Sequence, residues 1–257
     1  MTIKSRGRLG ALAIFLTLVA QPVCAPAQDL FGTISGTHFV VKYMRGQPPE
    51  EARKVLDFLQ SEYKSLNADV GLELKSKIEV RIYESVGKFL SETGQRRPWR
   101  AAYYQHNILH VQPVSALEHR RIFDKVLTYE LALLLLDEAG KKGCPRWLME
   151  SFASYYSNET AGLTPPLGAK MTAFSDLNQD IQQYPNPPQR EDVHYILAST
   201  MTFFVEKYGE GRAFRIFRTF DGMTPVDQVF KKVFGDDYAS IEKSWAKYIE
   251  ARTATFK

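Results

Sequence analysis

Cysteine is nearly missing from this 257-residue chain: Cys24 and Cys144 are all there is. If Cys24 is lost with a leader, Cys144 is alone, no internal disulfide can form, and stability has to come from a hydrophobic core. Long apolar runs are missing too. The longest, Leu9 to Ala20, has 12 residues, and a membrane-spanning helix needs about 20. A second run, Leu131 to Leu136, stops at Asp137-Glu138. No membrane span is expected. A strong charge imbalance is the third absence. The formal net charge of +4 falls to +1 once Lys4, Arg6 and Arg8 are removed, since no acidic residue precedes Asp29. That near-neutral balance gives no reason to expect nucleic acid or an anionic membrane as partner. Internal repeats and low-complexity segments are also absent.

What is present begins with the order basic, apolar, small. Lys4, Arg6 and Arg8 precede the Leu9 to Ala20 run, and Ala25-Pro26-Ala27 follows it. That order is a secretory signal peptide over 1–27. A lipid anchor at Cys24 is the rival, but Gln21-Pro22-Val23 lacks the small residues such a site needs. The expectation is an exported protein, periplasmic or extracellular, of about 230 residues, enough for a sizeable core.

The mature chain divides by pattern. Residues 28–37 are polar and Gly-rich and read as a flexible lead-in. Thr37 to Tyr43 and Lys77 to Tyr83 alternate like strands. Glu50 to Val70 has apolar residues at helical spacing and ends at Gly71. Ser85 is placed to cap a short helix, Val86 to Thr93. Residues 101–104 and 107–112 read as a hairpin. From Ser115 the pattern turns helical, with helices expected over 120–139, 145–156, 195–208, 213–220 and 238–252. Residues 160–190 read as loop with short helices. Thr224 is expected to cap another helix, with Pro225 at its first position. The fold class is therefore α+β: a small mixed sheet with helices over 38–157, then a mainly helical part over 158–257.

One stretch carries chemistry. Val126-Leu127-Thr128-Tyr129-Glu130-Leu131-Ala132-Leu133 is followed by Cys144-Pro145-Arg146-Trp147-Leu148-Met149-Glu150-Ser151-Phe152-Ala153-Ser154-Tyr155-Tyr156. Further on come Ala198 to Gly209, which ends Tyr208-Gly209, and Val229 to Gly235 with Trp245 behind it. This ordered set resembles the gluzincin zinc metallopeptidases, in particular the bacterial peptidase MA-like families, over nearly the whole mature chain. Those families place His-Glu-x-x-His on one helix, Pro-x-Trp-Leu in the linker, and a ligating glutamate on the next helix. The resemblance implies a zincin-like fold. It puts Tyr129 at the first ligand position, Glu130 at the general base, Leu133 at the second ligand and Glu150 at the third.

Two histidines four apart on a helix can both reach one zinc ion, and the glutamate beside them polarises the attacking water. Here both imidazoles are replaced. Leu133 offers no lone pair, and a Tyr129 phenolate has to form from a reference pKa near 10. No zinc or other cofactor is expected. The expectation is a pseudo-peptidase whose old cleft binds a peptide or protein partner. Two alternatives stay open. One is a hydrolase of another kind that uses the paired carboxylates Glu130 and Glu150. The other is a purely structural or interaction module, in which Tyr129 and Leu133 are core packing on an all-apolar helix. Glu130 is also open to pairing with Arg146, Arg120 or Arg121, since a buried carboxylate is costly alone.

Other residues have assigned expectations. His194 and Tyr195 stand where the resemblance implies an oxyanion-steadying residue. Arg96-Arg97-Pro98-Trp99-Arg100 reads as a solvated basic loop or the rim of a peptide site, since in the resembling enzymes the strand after it pairs with extended peptide. His106 and His110 are four apart, but on a strand that spacing is about 13 Å, too far for one ion. His38 and His119 are expected at the surface, and Cys144 is expected to be an unreactive spectator.

Overall fold

The computed structural model describes residues 31–95, 100–138, 143–158, 163–169, 171–183 and 187–254. The leader expected over 1–27 and the Arg96 to Trp99 part of the basic loop lie outside these residues. Five strands form one mixed sheet: β1 (Phe31–Ser35), β2 (Phe39–Met44), β3 (Ile78–Ile82), β4 (Ala102–Gln105) and β5 (Ile108–Val111). The order across the sheet is β1-β2-β3-β5-β4. β2, β3 and β5 are parallel, and β1 and β4 pair antiparallel at the two edges. The lead-in expected over 28–37 is corrected here. From Phe31 to Ser35 it is strand β1, in register with β2 from Phe31↔Met44 to Ser35↔Val40. Gly and Ser weaken the strand signal of that segment, but the edge of β2 supplies the pairing that its own sequence does not advertise.

Helix α1 (Pro49–Val70) crosses from β2 to β3, as a parallel pair requires. It buries Val55, Leu56, Leu59, Tyr63 and Leu66 on the sheet. Gly71 closes it in the left-handed conformation at φ 61°, its N–H donating to Asn67 O at 2.7 Å. α2 (Val86–Thr93) starts as expected, with Ser85 Oγ accepting from Lys88 N at 3.1 Å. The β4–β5 hairpin turns on His106 and Asn107, both at positive φ, 51° and 62°. That pair of left-handed residues matches the twist of a two-residue hairpin.

The helix expected over 120–139 is present from 123 to 138, and a separate short helix precedes it. α3 (Val114–His119) closes with Arg121 N bonded to Glu118 O and Ile122 N to Leu117 O, Arg121 standing at φ 56°. This is the paired closure that terminates helices, and it separates α3 from α4 (Phe123–Glu138). α4 is buried on all sides from Leu127 to Leu136, as its uniform apolarity predicts. α5 (Arg146–Tyr156) follows, then α6 (Phe174–Gln183), α7 (Pro187–Tyr208), α8 (Glu210–Thr219), α9 (Val226–Phe234) and α10 (Tyr238–Thr253). α7 begins at Pro187, eight residues earlier than Tyr195. Thr224 and Pro225 are also corrected. Pro225 precedes α9 rather than opening it, and Asp221 Oδ1 accepts from Thr224 N at 2.7 Å. No helix among the described residues is long and apolar enough to cross a membrane.

The helical part is organised by aromatic rings. Trp147 on α5 stacks on Phe174 of α6 at 4.2 Å and 3°. Phe174 also meets Trp245 of α10 at 4.6 Å, and Trp245 Nε1 donates to Thr200 Oγ1 of α7 at 2.9 Å. Phe174 thus joins three helices by stacked and tilted rings. Its truncation in Phe174→Ala is expected to cost about 3–5 kcal/mol of unfolding free energy, read by denaturant titration. A loss below about 1 kcal/mol would show that the rings are not coupled.

Candidate functional site

α4 lies beside the β4 edge of the sheet, α5 packs on α4, and α7 packs on α5, the most extensive helix pairing. Tyr129 and Glu150 meet across the α4–α5 junction. Tyr129 Oη donates to Glu150 Oε2. Arg146, at the first turn of α5, bonds the other oxygen of the same carboxylate, from Nε at 2.8 Å and from Nη2 at 2.5 Å. The i to i+4 spacing on one helix face allows both contacts at once. His194 of α7 sets its ring edge against Tyr129 at 5.4 Å, with Nδ1 3.1 Å from Ser154 Oγ. Glu150 and His194 are each 6 % exposed.

Glu130 points the other way, towards β4. Its Oε2 accepts from Tyr104 N at 3.3 Å, and its Oε1 lies 3.8 Å from Arg100 Nη2. Of the cations expected to pair with it, Arg146 stands near enough to interact by charge. Arg120 instead donates to Gln112 Oε1 at 3.4 Å, and Arg121 is exposed on left-handed backbone. The tertiary placement of Arg100 thus supplies the direct ion pair. Glu130 and Glu150 do not share a site: each meets its own guanidinium. The protein packed around Arg146 and the nearby Arg100 push its pKa down, while Glu130 and Asp137 work against that shift.

A cavity of about 310 Å³ opens on this side, lined by Arg100, Tyr103, Tyr104, Glu130, Leu133, Asp137 and Arg146. Leu133 forms its apolar wall. Arg100 lies over the Tyr103 ring at 4.1 Å, and Tyr104 Oη donates to Glu138. Burial, and then the Glu138 carboxylate, drive the Tyr104 phenol far above its ordinary range. The floor is the outer edge of β4. Gln112 N bonds Ala101 O at 3.0 Å, so the alternation of an antiparallel ladder puts residues 101, 103 and 105 in bonded pairs with β5. Ala102 and Tyr104 therefore turn their N–H and C=O groups away from β5. The Tyr104 N–H is the one that reaches Glu130.

Of the residues named from the sequence, Tyr129, Glu150 and His194 meet on one side of α4, while Glu130 and Leu133 line the cavity on the β4 side. Tyr195 is part of neither group. One residue further along α7, it faces α10, where it lies close to Tyr248, because successive helical residues point about 100° apart. Three contributors went unnamed: Tyr104, Asp137 and Ser154. Tyr104 and Ser154 carry no local signal, since strand order and helix packing bring them in. Asp137 is the first charge after the apolar run, seven residues from Glu130 and so on the same helix face.

The remaining candidates stand apart. His106 is in the hairpin turn, while His110 on β5 bonds the Tyr83 phenol through Nδ1 at 2.8 Å. His38 is half-buried rather than exposed, its ring 4.2 Å from that of Tyr63. Cys144 is half-buried, and burial drives its thiol far above the ordinary range, so it is a poor nucleophile. Among the described residues, no three His, Cys, Asp or Glu side chains converge as a metal site would require.

Two outcomes are expected. Tyr129→Phe keeps the ring against His194 but removes the proton donor to Glu150, at a cost of about 1–3 kcal/mol. Unchanged stability on denaturant titration would show that the phenol makes no net contribution. His110 is held below the usual imidazole value of 6.5, chiefly by burial and then by Arg81. The unfolded chain therefore takes up this proton first as pH falls. The stability from neutral His110 is fully present above about 6.5 and is lost as pH drops through the lower folded value. The measured slope of unfolding free energy between about pH 7.5 and 5 should flatten in His110→Gln.

Neither family models nor curated proteins give a match to this chain. The site is defined by its own residues.

Proposed function

We propose that this chain is an exported, gluzincin-like pseudo-peptidase whose cleft binds extended peptide without hydrolysing it. The observation that carries the reading is the convergence of Tyr129, Glu150 and His194 from three helices, next to Glu130 and an antiparallel edge strand. A zincin-like arrangement needs that combination: a motif helix lying along an edge strand, and a ligand helix behind it. The five-stranded mixed sheet with β4 at its edge supports the fold half of the reading. The export half rests on the leader pattern of residues 1–27.

The side chains at the ligand positions do not suit a catalytic zinc ion. Such a site takes three protein ligands and a water. Leu133 has no donor atom. The Tyr129 proton is committed to Glu150, so the first and third ligand positions bond each other directly. His194 is held by Ser154 and packed on Tyr129. The rival acid–base reading is also disfavoured. Carboxylates that exchange roles face each other across a substrate, whereas Glu130 and Glu150 are each held against a separate arginine. What the cleft retains is a binding floor. The outward Ala102 N–H and the outward Ala102 and Tyr104 C=O groups can pair with an added strand, the Tyr104 N–H being held by Glu130, and Leu133 and Tyr103 can receive its side chains.

Two measurements test this. The purified mature protein should hold no stoichiometric zinc, whereas Tyr129→His combined with Leu133→His should bind about one ion per chain. One zinc in the wild type, lost in Glu150→Ala, would sink the proposal; a double variant that binds none would show the positions are misassigned. A library of hexapeptides blocked at both ends should bind without being cleaved, and N-methylation of alternate peptide amides should weaken binding about tenfold or more. Binding indifferent to N-methylation would remove the edge strand from the account.

A further inference from the structure

The cleft contains polar groups that its own fold leaves unused. Arg100 is the clearest. A guanidinium has five N–H donors in a rigid plane. This one lies over the Tyr103 ring and is one-third exposed. Among the described residues its one ion pair, with Glu130, is 3.8 Å long, beyond hydrogen-bond distance. Its donors are thus left for a ligand. Arg146, across the cavity, uses Nε and Nη2 on Glu150 and has Nη1 in reserve. Asp137 is the opposite case: an exposed carboxylate on the cavity wall that takes part in none of the ion pairs of the described residues.

Charge decides what fits. Among the described residues, the cavity lining sets Arg100 and Arg146 against Glu130 and Asp137. Two cations face two carboxylates, so a lone anion arriving at Arg100 upsets the balance and leaves Asp137 unmatched. A lone cation at Asp137 leaves the Arg100 donors unused. A ligand with both charges satisfies both. The volume of about 310 Å³ is at the small end for ligand pockets, right for a ligand of one or two amino-acid residues. Leu133 and the Tyr103 and Tyr104 rings give it apolar wall.

Resting on the reading of the cleft as a peptide-binding site, we infer that this cavity selects short peptides with both termini free, the carboxylate on Arg100 and the ammonium on Asp137. Planar N–H donors match a carboxylate in two bonds. The Arg100 stack on Tyr103 holds that fork ready before the ligand arrives, which lowers the entropy lost on binding. The Glu130 pair loosens rather than breaks, because Tyr104 N still holds its other oxygen.

The test uses the full mature chain and a pool of apolar dipeptides in three forms: unprotected, N-acetylated and C-terminally amidated. Binding is read by saturation-transfer NMR and then by calorimetry on the strongest. Unprotected dipeptides should bind about tenfold or more tighter than either capped form, since each cap removes one charged hydrogen-bonding group. Arg100→Gln should abolish the preference for free over amidated peptide and leave the preference over acetylated peptide. Asp137→Asn should do the reverse. Asp137 is exposed, so thermal unfolding of Asp137→Asn should match the wild type; Arg100→Gln removes the ion pair of buried Glu130, so its binding is read well below its own, lower, unfolding midpoint. Equal binding of all three forms overturns the inference, as does a preference that neither substitution changes. If blocked hexapeptides bind and unprotected dipeptides do not, the inference fails and the peptide cleft stands. If neither binds, both fail.

Discussion

The structure depends on one constraint: α4 is buried on every side from Leu127 to Leu136, so each polar side chain in that span needs a partner from another element. Three consecutive residues meet this requirement in three directions. Thr128 Oγ1 donates to Glu62 of α1 at 3.1 Å. Tyr129 donates to Glu150 of α5. Glu130 accepts from the Tyr104 amide of β4. Successive helical residues fan out by about 100°, so three neighbours in sequence reach three different walls. Leaving any of these groups unpaired in the apolar interior costs of order 1–3 kcal/mol, and more for a carboxylate. The polar triplet thereby fixes how α4 sits between the sheet and the helices.

The same constraint shapes the site. A carboxylate on a buried helix needs a cation, and the fold provides a different arginine for each. Arg146 is on the same helix as Glu150, one turn away, while Arg100 comes in from the chain entering β4. The result is two separate pairs rather than one shared acid–base centre. Tyr129 completes this. By donating directly to Glu150, it joins α4 to α5 with a hydrogen bond. Under the proposed function, structural cohesion passes from metal coordination to a phenol–carboxylate bond, and the cleft beside β4 is left open for binding.

The aromatic helical part gives these pairs a rigid backing. Trp147 sits three residues before Glu150 on α5 and is stacked into Phe174, Phe204 and Phe230. α7, which carries His194, is tied into the same cluster through Phe204 and through the Thr200–Trp245 hydrogen bond. Ring packing at interior density leaves little room for either helix to slide. Glu150 and His194 are therefore held in place from behind, by residues that touch neither.

Much was decided locally and was legible in the sequence. Period-two alternation marked β2 and β3, and period 3.6 with Gly71 and Ser85 marked α1 and α2. The uniform apolarity of α4 announced its burial, whereas a meeting of Tyr129, Glu150 and His194 was only implied by the family resemblance and not by any local pattern. The local features follow from short-range rules: side-chain direction repeats with the backbone, and caps satisfy the groups next to them. Other features were set only by the tertiary structure. β1 exists because β2 offers an edge, although its own residues favour a loop. α3 ends at Arg121 because a pair of backbone bonds closes there. Arg100 rather than Arg120 or Arg121 meets Glu130, and Tyr195 turns to α10 while His194 turns to Tyr129. Each of these depends on which distant surface lies opposite. A sequence states which groups need partners, and the packing of elements far apart in the chain decides which partners they get.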